Sequence, residues 1–143
     1  MWPFSRRYES KGTITQAELR AEFARWDCFH IPLDPSNTIL SQKDAEWFAW
    51  KYGCRARPPV KSIYDCEDYA LDTFSAWREG ARKEGIHPAP AFGILWLKCV
   101  GGFSGATHMS NYFRHEGGLA RYEAQQSDWR GFETVEKVFA RMG

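Results

Sequence analysis

The chain has 143 residues, which fits one domain with one hydrophobic core and leaves no room for two ordinary domains. Lys and Arg total 19 and Asp and Glu total 18, so the net charge of +1 argues against a strongly basic protein that binds nucleic acid or a membrane surface. Hydrophobic residues make up 43%, with 7 Trp, 6 Tyr and 10 Phe, enough apolar area to exclude disorder as the dominant state.

The sequence carries no signal that would direct the chain to a membrane. No run approaches the ~18 apolar residues of a membrane span, and residues 1–7 lack the apolar region of a signal peptide. We therefore predict a cytoplasmic protein with neither nucleic acid nor membrane as partner. The cysteines Cys28, Cys54, Cys66 and Cys99 form no CxxC pair, and free thiols are expected in a chain without a secretion signal.

Residues 1–58 are predicted to form a mainly helical N-terminal part. Thr15 and Glu18 have the spacing of a capping box at the start of a first helix. Ser41 is the predicted cap of a second helix, and Gly53 is its predicted end. These helices either complete the core or cover the cleft as a plug, and the pattern leaves both roles open.

Two stretches of this part carry further expectations. Residues 31–37 contain two prolines and are predicted to be a loop between the helices. Trp47 and Trp50 follow the second cap, and we expect them in the core together with Trp96 further along the chain.

A third helix has the clearest pattern in the chain. Asp65 is the predicted N-cap, Cys66 the first helical residue, and the helix should end before Gly85. One face carries a stripe at helical spacing, formed by Cys66, Ala70, Phe74, Trp77 and Ala81. The predicted helix therefore buries one face and begins at a cysteine.

The spacing of hydrophobic residues then changes from that of a helix to that of a strand. Residues 91–100 are a largely apolar run, as in a central strand. Residues 108–114 and 119–125 flank the turn sequence 116–118 and are predicted to form a hairpin.

The order of these elements predicts a single α+β domain over residues 1–143. Residues 1–58 form its helical part, residues 59–128 hold the cysteine helix and the hairpin, and residues 129–143 hold a C-terminal helix, from about residue 134 to 142.

Three residues form a candidate active site: Cys66 at a helix N-terminus, His108 at the start of a strand, and Glu123 on the returning strand. The thiolate is the nucleophile of cysteine enzymes, and a helix N-terminus and a neighbouring imidazolium both lower the thiol pKa. The histidine also carries the proton, and a third polar group holds its ring in the productive tautomer.

The identity of that third group depends on the register of the hairpin. If His115 pairs with Gly118, then His108 lies opposite Gln125, and a slip of two residues puts it opposite Glu123 instead. Both side chains share a face with His108 because the period of a strand is two residues. Glu123 and Gln125 are therefore both candidates.

Residues 64–70, with the sequence YDCEDYA, resemble the nucleophile motif of bacterial transglutaminase-like cysteine proteinases. In that motif acidic residues flank the cysteine before Tyr-Ala. His108 and Glu123 follow at distances suited to the histidine and the acidic third member of that family, although the family usually has Asp where this chain has Glu123.

The spacing also resembles the papain-like C-terminal domain of Marasmius-type mushroom agglutinins. Cys66 and His108 are 42 residues apart, and the pair of Glu123 and Gln125 follows. The resemblance covers roughly residues 60–128. It implies a papain-like or transglutaminase-like fold with a Cys-His-Glu triad.

The same resemblance implies a metal ion, because both families contain calcium-dependent members and the agglutinin domain depends on calcium or manganese. Carried over by position, Asp65 and Glu67 are the ligands, with Glu123 and Gln125 from the facing strand, and such oxygen donors suit Ca²⁺. Carboxylates around Cys66 would raise its thiol pKa, so a bound cation would act as an activating switch. The helix dipole favours acidic residues in a first turn without any metal.

These features predict a cysteine peptidase-like hydrolase that cleaves amide bonds in a peptide or protein substrate. The same three residues would also serve transglutamination, deamidation or cleavage of peptidoglycan peptides, because fold and triad do not fix the substrate. A function of a different class is a non-catalytic phage or bacterial effector that binds a host protein on this scaffold.

Overall fold

A computed structural model describes residues 7–25, 28–30, 34–53, 66–98, 107–123 and 132–134. Only the backbone is described at residues 28–30, 66–67, 97–98, 107–108 and 133–134. The helices are α1 (Gln16–Phe23), α2 (Gln42–Tyr52) and α3 (Cys66–Glu84). The strands are β1 (Thr13–Thr15), β2 (Cys28–His30), β3 (Ser36–Thr38), β4 (Phe92–Lys98), β5 (Thr107–His115), β6 (Gly118–Tyr122) and β7 (Phe132–Thr134).

Five strands form one antiparallel sheet in the order β2-β4-β5-β6-β7. Strands β1 and β3 pair as a separate two-stranded ribbon. Helices and antiparallel strands are segregated along much of the chain, so the predicted α+β class is confirmed. None of the described helices is long and apolar enough to cross a bilayer.

The helices begin and end where their local sequence predicts. The Thr15 hydroxyl accepts from the Glu18 amide at 3.2 Å, and the Glu18 carboxylate accepts from the Thr15 amide at 3.1 Å. Ser41 accepts from the backbone amide of residue 44 at 3.1 Å and caps α2. Helix α3 begins at Cys66, as predicted, and Gly85 follows its end with a φ of +69°, which glycine adopts without steric cost. The predicted cap Asp65 lies outside the described residues.

The two faces of the sheet are covered by different helices. On one face α2 and α3 enclose a cluster of Leu40, Ala45, Phe48, Ala49, Tyr69, Trp77, Ala81, Phe92, Phe113 and Tyr122. On the other face α1 encloses a cluster of Ile14, Leu19, Phe23, Ala91, Leu95 and Tyr112. Both N-terminal helices therefore fill the core, which is one of the two roles that the sequence left open.

Trp77 lies at the centre of the larger cluster and is fully buried. Its ring makes edge contacts with Phe92, Phe113 and Tyr122 at centroid distances of 5.4, 5.5 and 5.1 Å. Its indole N–H donates to the Ala49 carbonyl of α2 at 3.2 Å. One side chain of α3 thus holds the helix to the sheet and to α2 together.

The prediction that three tryptophans are buried is wrong. Trp47, Trp50 and Trp96 are 37%, 52% and 42% exposed. The buried stripe of α2 runs through Ala45, Phe48 and Ala49, so Trp47 and Trp50 lie off that stripe. The two rings contact each other instead, at 5.2 Å.

Short strands occur where the sequence predicts helices and loops. The predicted helical part also contains β1, β2 and β3, and β3 begins inside the predicted loop. In the predicted C-terminal helical part, the structure describes strand β7, and residues 135–143 lie outside the described residues. Three residues are too short to show the alternation that identifies a strand in a sequence.

Gly80 of α3 lies directly against the Tyr52 ring of α2. A Cβ atom at this position would lie 2.4 Å from Cγ of the Tyr52 ring. The Tyr52 hydroxyl donates to the Glu84 carboxylate, and Lys51 Nζ lies 2.9 Å from the same carboxylate. The missing side chain of Gly80 is what allows the end of α2 to reach α3.

We expect Gly80→Ala to lower the free energy of unfolding by about 1–2 kcal/mol, because overpacking against the Tyr52 ring outweighs the gain in helix propensity. Urea denaturation followed by circular dichroism measures this change. Ser75→Ala, at an exposed position of the same helix, is the matched control and should not destabilise the protein. Equal midpoints for Gly80→Ala and the wild type would contradict this prediction.

Candidate functional site

The first turns of α3 lie against the first half of β5. Asn111 is fully buried on β5, and its Nδ2 donates to the Ala70 carbonyl of α3 at 2.9 Å. Ala70 is four residues after Cys66, and Asn111 is three residues after His108. Cys66 is therefore about 6 Å along the helix from this hydrogen bond, and His108 is about 10 Å along the strand from it.

The helix and the strand also run in the same direction. Ala70 lies beside Asn111, and Trp77, two turns later, contacts Phe113. The N-terminal part of α3 therefore lies beside the N-terminal part of β5. The backbones of Cys66 and His108 lie at the same end of the sheet.

The register of the hairpin is the one in which His115 pairs with Gly118, and the ladder continues to the pair of Asn111 and Tyr122. The slipped register, which would pair His108 with Glu123, does not occur in the described ladder. Glu123 directly follows Tyr122 and comes level with Ser110.

The backbone of His108 pairs with Leu97 of β4. Gln125 and Asp65 lie outside the described residues, as do the side chains of Cys66, Glu67 and His108.

Glu123 is mostly buried, and its carboxylate is held by an arginine that the sequence analysis missed. Arg121 Nη2 lies 2.5 Å from Glu123 Oε2, and Arg121 Nε donates to Ser110 Oγ at 3.2 Å. The two side chains are only 16% and 13% exposed, so the ion pair is shielded from solvent. The signal in the sequence is an Arg and a Glu two residues apart on one strand, which puts them on the same face.

This ion pair lies on the α1 face of the sheet. Ser110 is two residues from Tyr112, whose ring packs on Phe23 of α1 at 4.8 Å. Asn111, between them, faces α3. Glu123 therefore does not lie on the face of the sheet that α3 covers.

The described side chains include no group of three His, Cys, Asp or Glu residues that could hold a metal ion. Among the four predicted ligands, Glu123 is the one with a described side chain, and its carboxylate already has Arg121 beside it. A cation at Glu123 would have to compete with that guanidinium.

A groove of about 870 Å³ runs beside the C-terminal half of α3. Phe74, Ile86 and Pro88 contribute apolar surface to it. Arg78 lies on its rim, 3.3 Å from the Asp34 carboxylate. Phe74 is eight residues after Cys66, so the groove begins about 12 Å along α3 from the candidate nucleophile.

His115 is a buried histidine at the hairpin turn. Its Nδ1 accepts from the Gly117 amide at 2.9 Å, and its ring stacks on Phe132. Burial lowers the pKa of the His115 imidazole, Glu46 opposes this effect, and Arg114 adds to it. Burial thus favours the neutral form of the ring, in which Nδ1 can accept a hydrogen bond.

Comparisons with known proteins support the fold alone. No family model matches the chain, and no curated protein matches it. Among the solved structures that match, one named "PSL1a-E64 complex" aligns with a TM-score of 0.62 and 18% sequence identity. The alignment covers 86% of this chain and 46% of the other, so this chain spans about half the length of that neighbour.

We expect the lowered pKa of His115 to make the protein less stable in mild acid. Stability should be complete above the unfolded-state pKa of about 6.5 and should fall as the pH drops below it, because the unfolded chain then binds the proton more strongly. The measurement is urea denaturation between about pH 5 and 8, and His115→Gln should be less dependent on pH. His87→Gln, at an exposed histidine, is the control and should behave as the wild type. Identical pH dependence in the wild type and His115→Gln would refute this assignment.

Proposed function

We propose that the protein is a thiol-dependent hydrolase that cleaves amide bonds in peptides or proteins, on a papain-like or transglutaminase-like fold. The observation that carries this proposal is the hydrogen bond between Asn111 and Ala70. It places the first turns of α3 beside β5; α3 begins with Cys66, and β5 begins at Thr107, one residue before His108. The neighbour of similar fold is a complex with E64, and we use the same compound as a probe below.

In the proposed reaction, His108 takes the proton from the Cys66 thiol. The helix N-terminus stabilises the resulting thiolate, which attacks the carbonyl carbon of the amide. The backbone N–H of Cys66 is the natural donor to the oxyanion. His108 then gives its proton to the leaving amine, and water hydrolyses the acyl-enzyme to regenerate the thiol.

Glu123 is the proposed third member, because an ionised carboxylate both orients the imidazole and stabilises its protonated form. Arg121 forms an ion pair with this carboxylate and fixes one of its oxygens. Gln125 is the alternative, since a continuation of the hairpin register by three pairs would bring it level with His108. An amide would orient the ring without stabilising its charge.

We further propose that Ca²⁺ or Mn²⁺ binds beside the nucleophile. Arg121 already neutralises Glu123, so we assign the cation mainly to Asp65 and Glu67 and not to the facing strand. The cation would offset the negative charge of these carboxylates, which otherwise raises the pKa of the Cys66 thiol.

A second candidate is a non-catalytic effector that binds a host protein. The groove beside α3 and the exposed pair of Trp47 and Trp50 favour it, because both offer apolar surface away from the Cys66 end of the helix. Transglutamination, deamidation and cleavage of peptidoglycan peptides share the chemistry of the first proposal and differ from it in substrate.

We expect Cys66 to react with iodoacetamide near neutral pH about tenfold faster than Cys28, Cys54 and Cys99, because a stabilised thiolate is present at that pH. Peptide-resolved mass spectrometry across pH measures the four rates, and His108→Ala should slow Cys66 alone.

The same samples test whether E64 labels Cys66 and whether a metal ion affects the reactivity of the thiol. E64 should leave a covalent adduct on Cys66 that Cys66→Ser abolishes, and EDTA should slow the alkylation of Cys66 in a way that calcium reverses. Cys66 reacting no faster than the other three cysteines in every condition would reject the hydrolase and favour the effector.

The third member is tested by Glu123→Gln and Gln125→Ala in the same assay. We expect Glu123→Gln to slow the alkylation of Cys66 at pH 7 about tenfold, because the imidazolium loses its anionic partner, and Gln125→Ala to have little effect. Glu116→Gln, in the exposed hairpin turn, is the charge-matched control. Slowing by Gln125→Ala alone would assign the role to Gln125.

A further inference from the structure

Asn111 has an unusual position for an amide side chain. It is fully buried in the middle of β5, between the sheet and α3. Its Nδ2 donates to the Ala70 carbonyl at 2.9 Å and to the Gly93 carbonyl of β4 at 3.3 Å. Since both neighbours are acceptors, the orientation of the amide is fixed, with its nitrogen toward them.

The other end of the same amide has no partner among the described residues. Asn111 Oδ1 is buried and accepts no hydrogen bond from them. A buried polar atom without a partner lowers stability, and an apolar side chain would avoid this cost. Ala70 and Gly93 both lie in regular secondary structure and do not need the amide as a donor. The stability of the fold alone therefore does not account for Asn111.

The position of the amide suggests a reason for an asparagine at residue 111. Asn111 ties the turn of α3 that follows Cys66 to the strand that begins at Thr107, and through Gly93 to β4 as well. Loss of this tie would let the N-terminal turn of α3 shift along the sheet by a fraction of an ångström. A hydrogen bond restricts such sliding more than apolar contact does, because it is directional.

We propose that Asn111 is a positioning residue, which holds the turn of α3 that carries Cys66 at a fixed distance from the start of β5. This inference rests on the proposed function, in which Cys66 reacts as a thiolate paired with His108. It predicts that activation of the thiol and stability of the fold respond differently when the amide is removed.

The test uses Asn111→Ala and Asn111→Val, with Thr73→Val as the matched control. Thr73 is also fully buried on α3, and its hydroxyl has no partner among the described residues. Thr73→Val therefore removes a buried polar atom without removing a hydrogen bond between the helix and the sheet. The readouts are the urea midpoint and the rate of Cys66 alkylation at several pH values.

We expect both Asn111 variants to fold, with Cys66 alkylation at pH 7 slowed about tenfold or more and its pH midpoint raised, because small displacements of reacting groups have large effects on rate. Thr73→Val should keep the rate and the pH midpoint of the wild type. A role in stability alone would shift the urea midpoint and leave the pH midpoint unchanged.

The outcomes separate this inference from the proposed function. Wild-type Cys66 that is no more reactive than the other cysteines rejects the proposed function itself. Reactive wild-type Cys66 with unchanged rates in the folded Asn111 variants rejects the positioning role alone. Equal slowing by Thr73→Val, or failure of both Asn111 variants to fold, rejects it too, since Asn111 would then serve the packing of the interface as a whole.

Discussion

The structure depends on the burial of one face of α3 against the sheet, with Trp77 at its centre. Trp77 contacts three aromatic rings of the sheet and donates to the Ala49 carbonyl of α2. Burial of an aromatic side chain of this size contributes on the order of 2–3 kcal/mol, and edge-to-face contacts add to it. Trp77 lies about three turns after Cys66, so this contact also fixes the helix that bears Cys66 at its start.

The two faces of the sheet carry different groups, because α3 covers one face and α1 covers the other. The α3 face holds the aromatic cluster and the amide of Asn111, and the α1 face holds the ion pair of Arg121 and Glu123. The chemistry that we propose needs groups from both faces. The end of the sheet, where β5 starts and β6 finishes, is where such groups can meet.

Features set by local sequence could be predicted, and those set by tertiary contacts could not. The caps at Thr15 and Ser41, the start of α3 at Cys66 and the pairing of His115 with Gly118 each depend on a few neighbouring residues. For the candidate site, sequence alone led to the elements that bear Cys66, His108 and Glu123. It could not reveal Arg121 and Asn111, because Arg and Asn on a strand usually indicate a solvated face. The sequence also does not show which face of α2 is turned toward the core, and for this reason burial of Trp47 and Trp50 is predicted wrongly.

Among the described strands, β2 and β7 lie at the two edges of the five-stranded sheet. Helices cover both faces of that sheet, so an extended peptide could join it only along an edge. Recognition by strand addition gains affinity from main-chain hydrogen bonds and specificity from side chains that point alternately to the two faces. A peptide added at either edge would therefore be read by groups from both faces of the sheet at once.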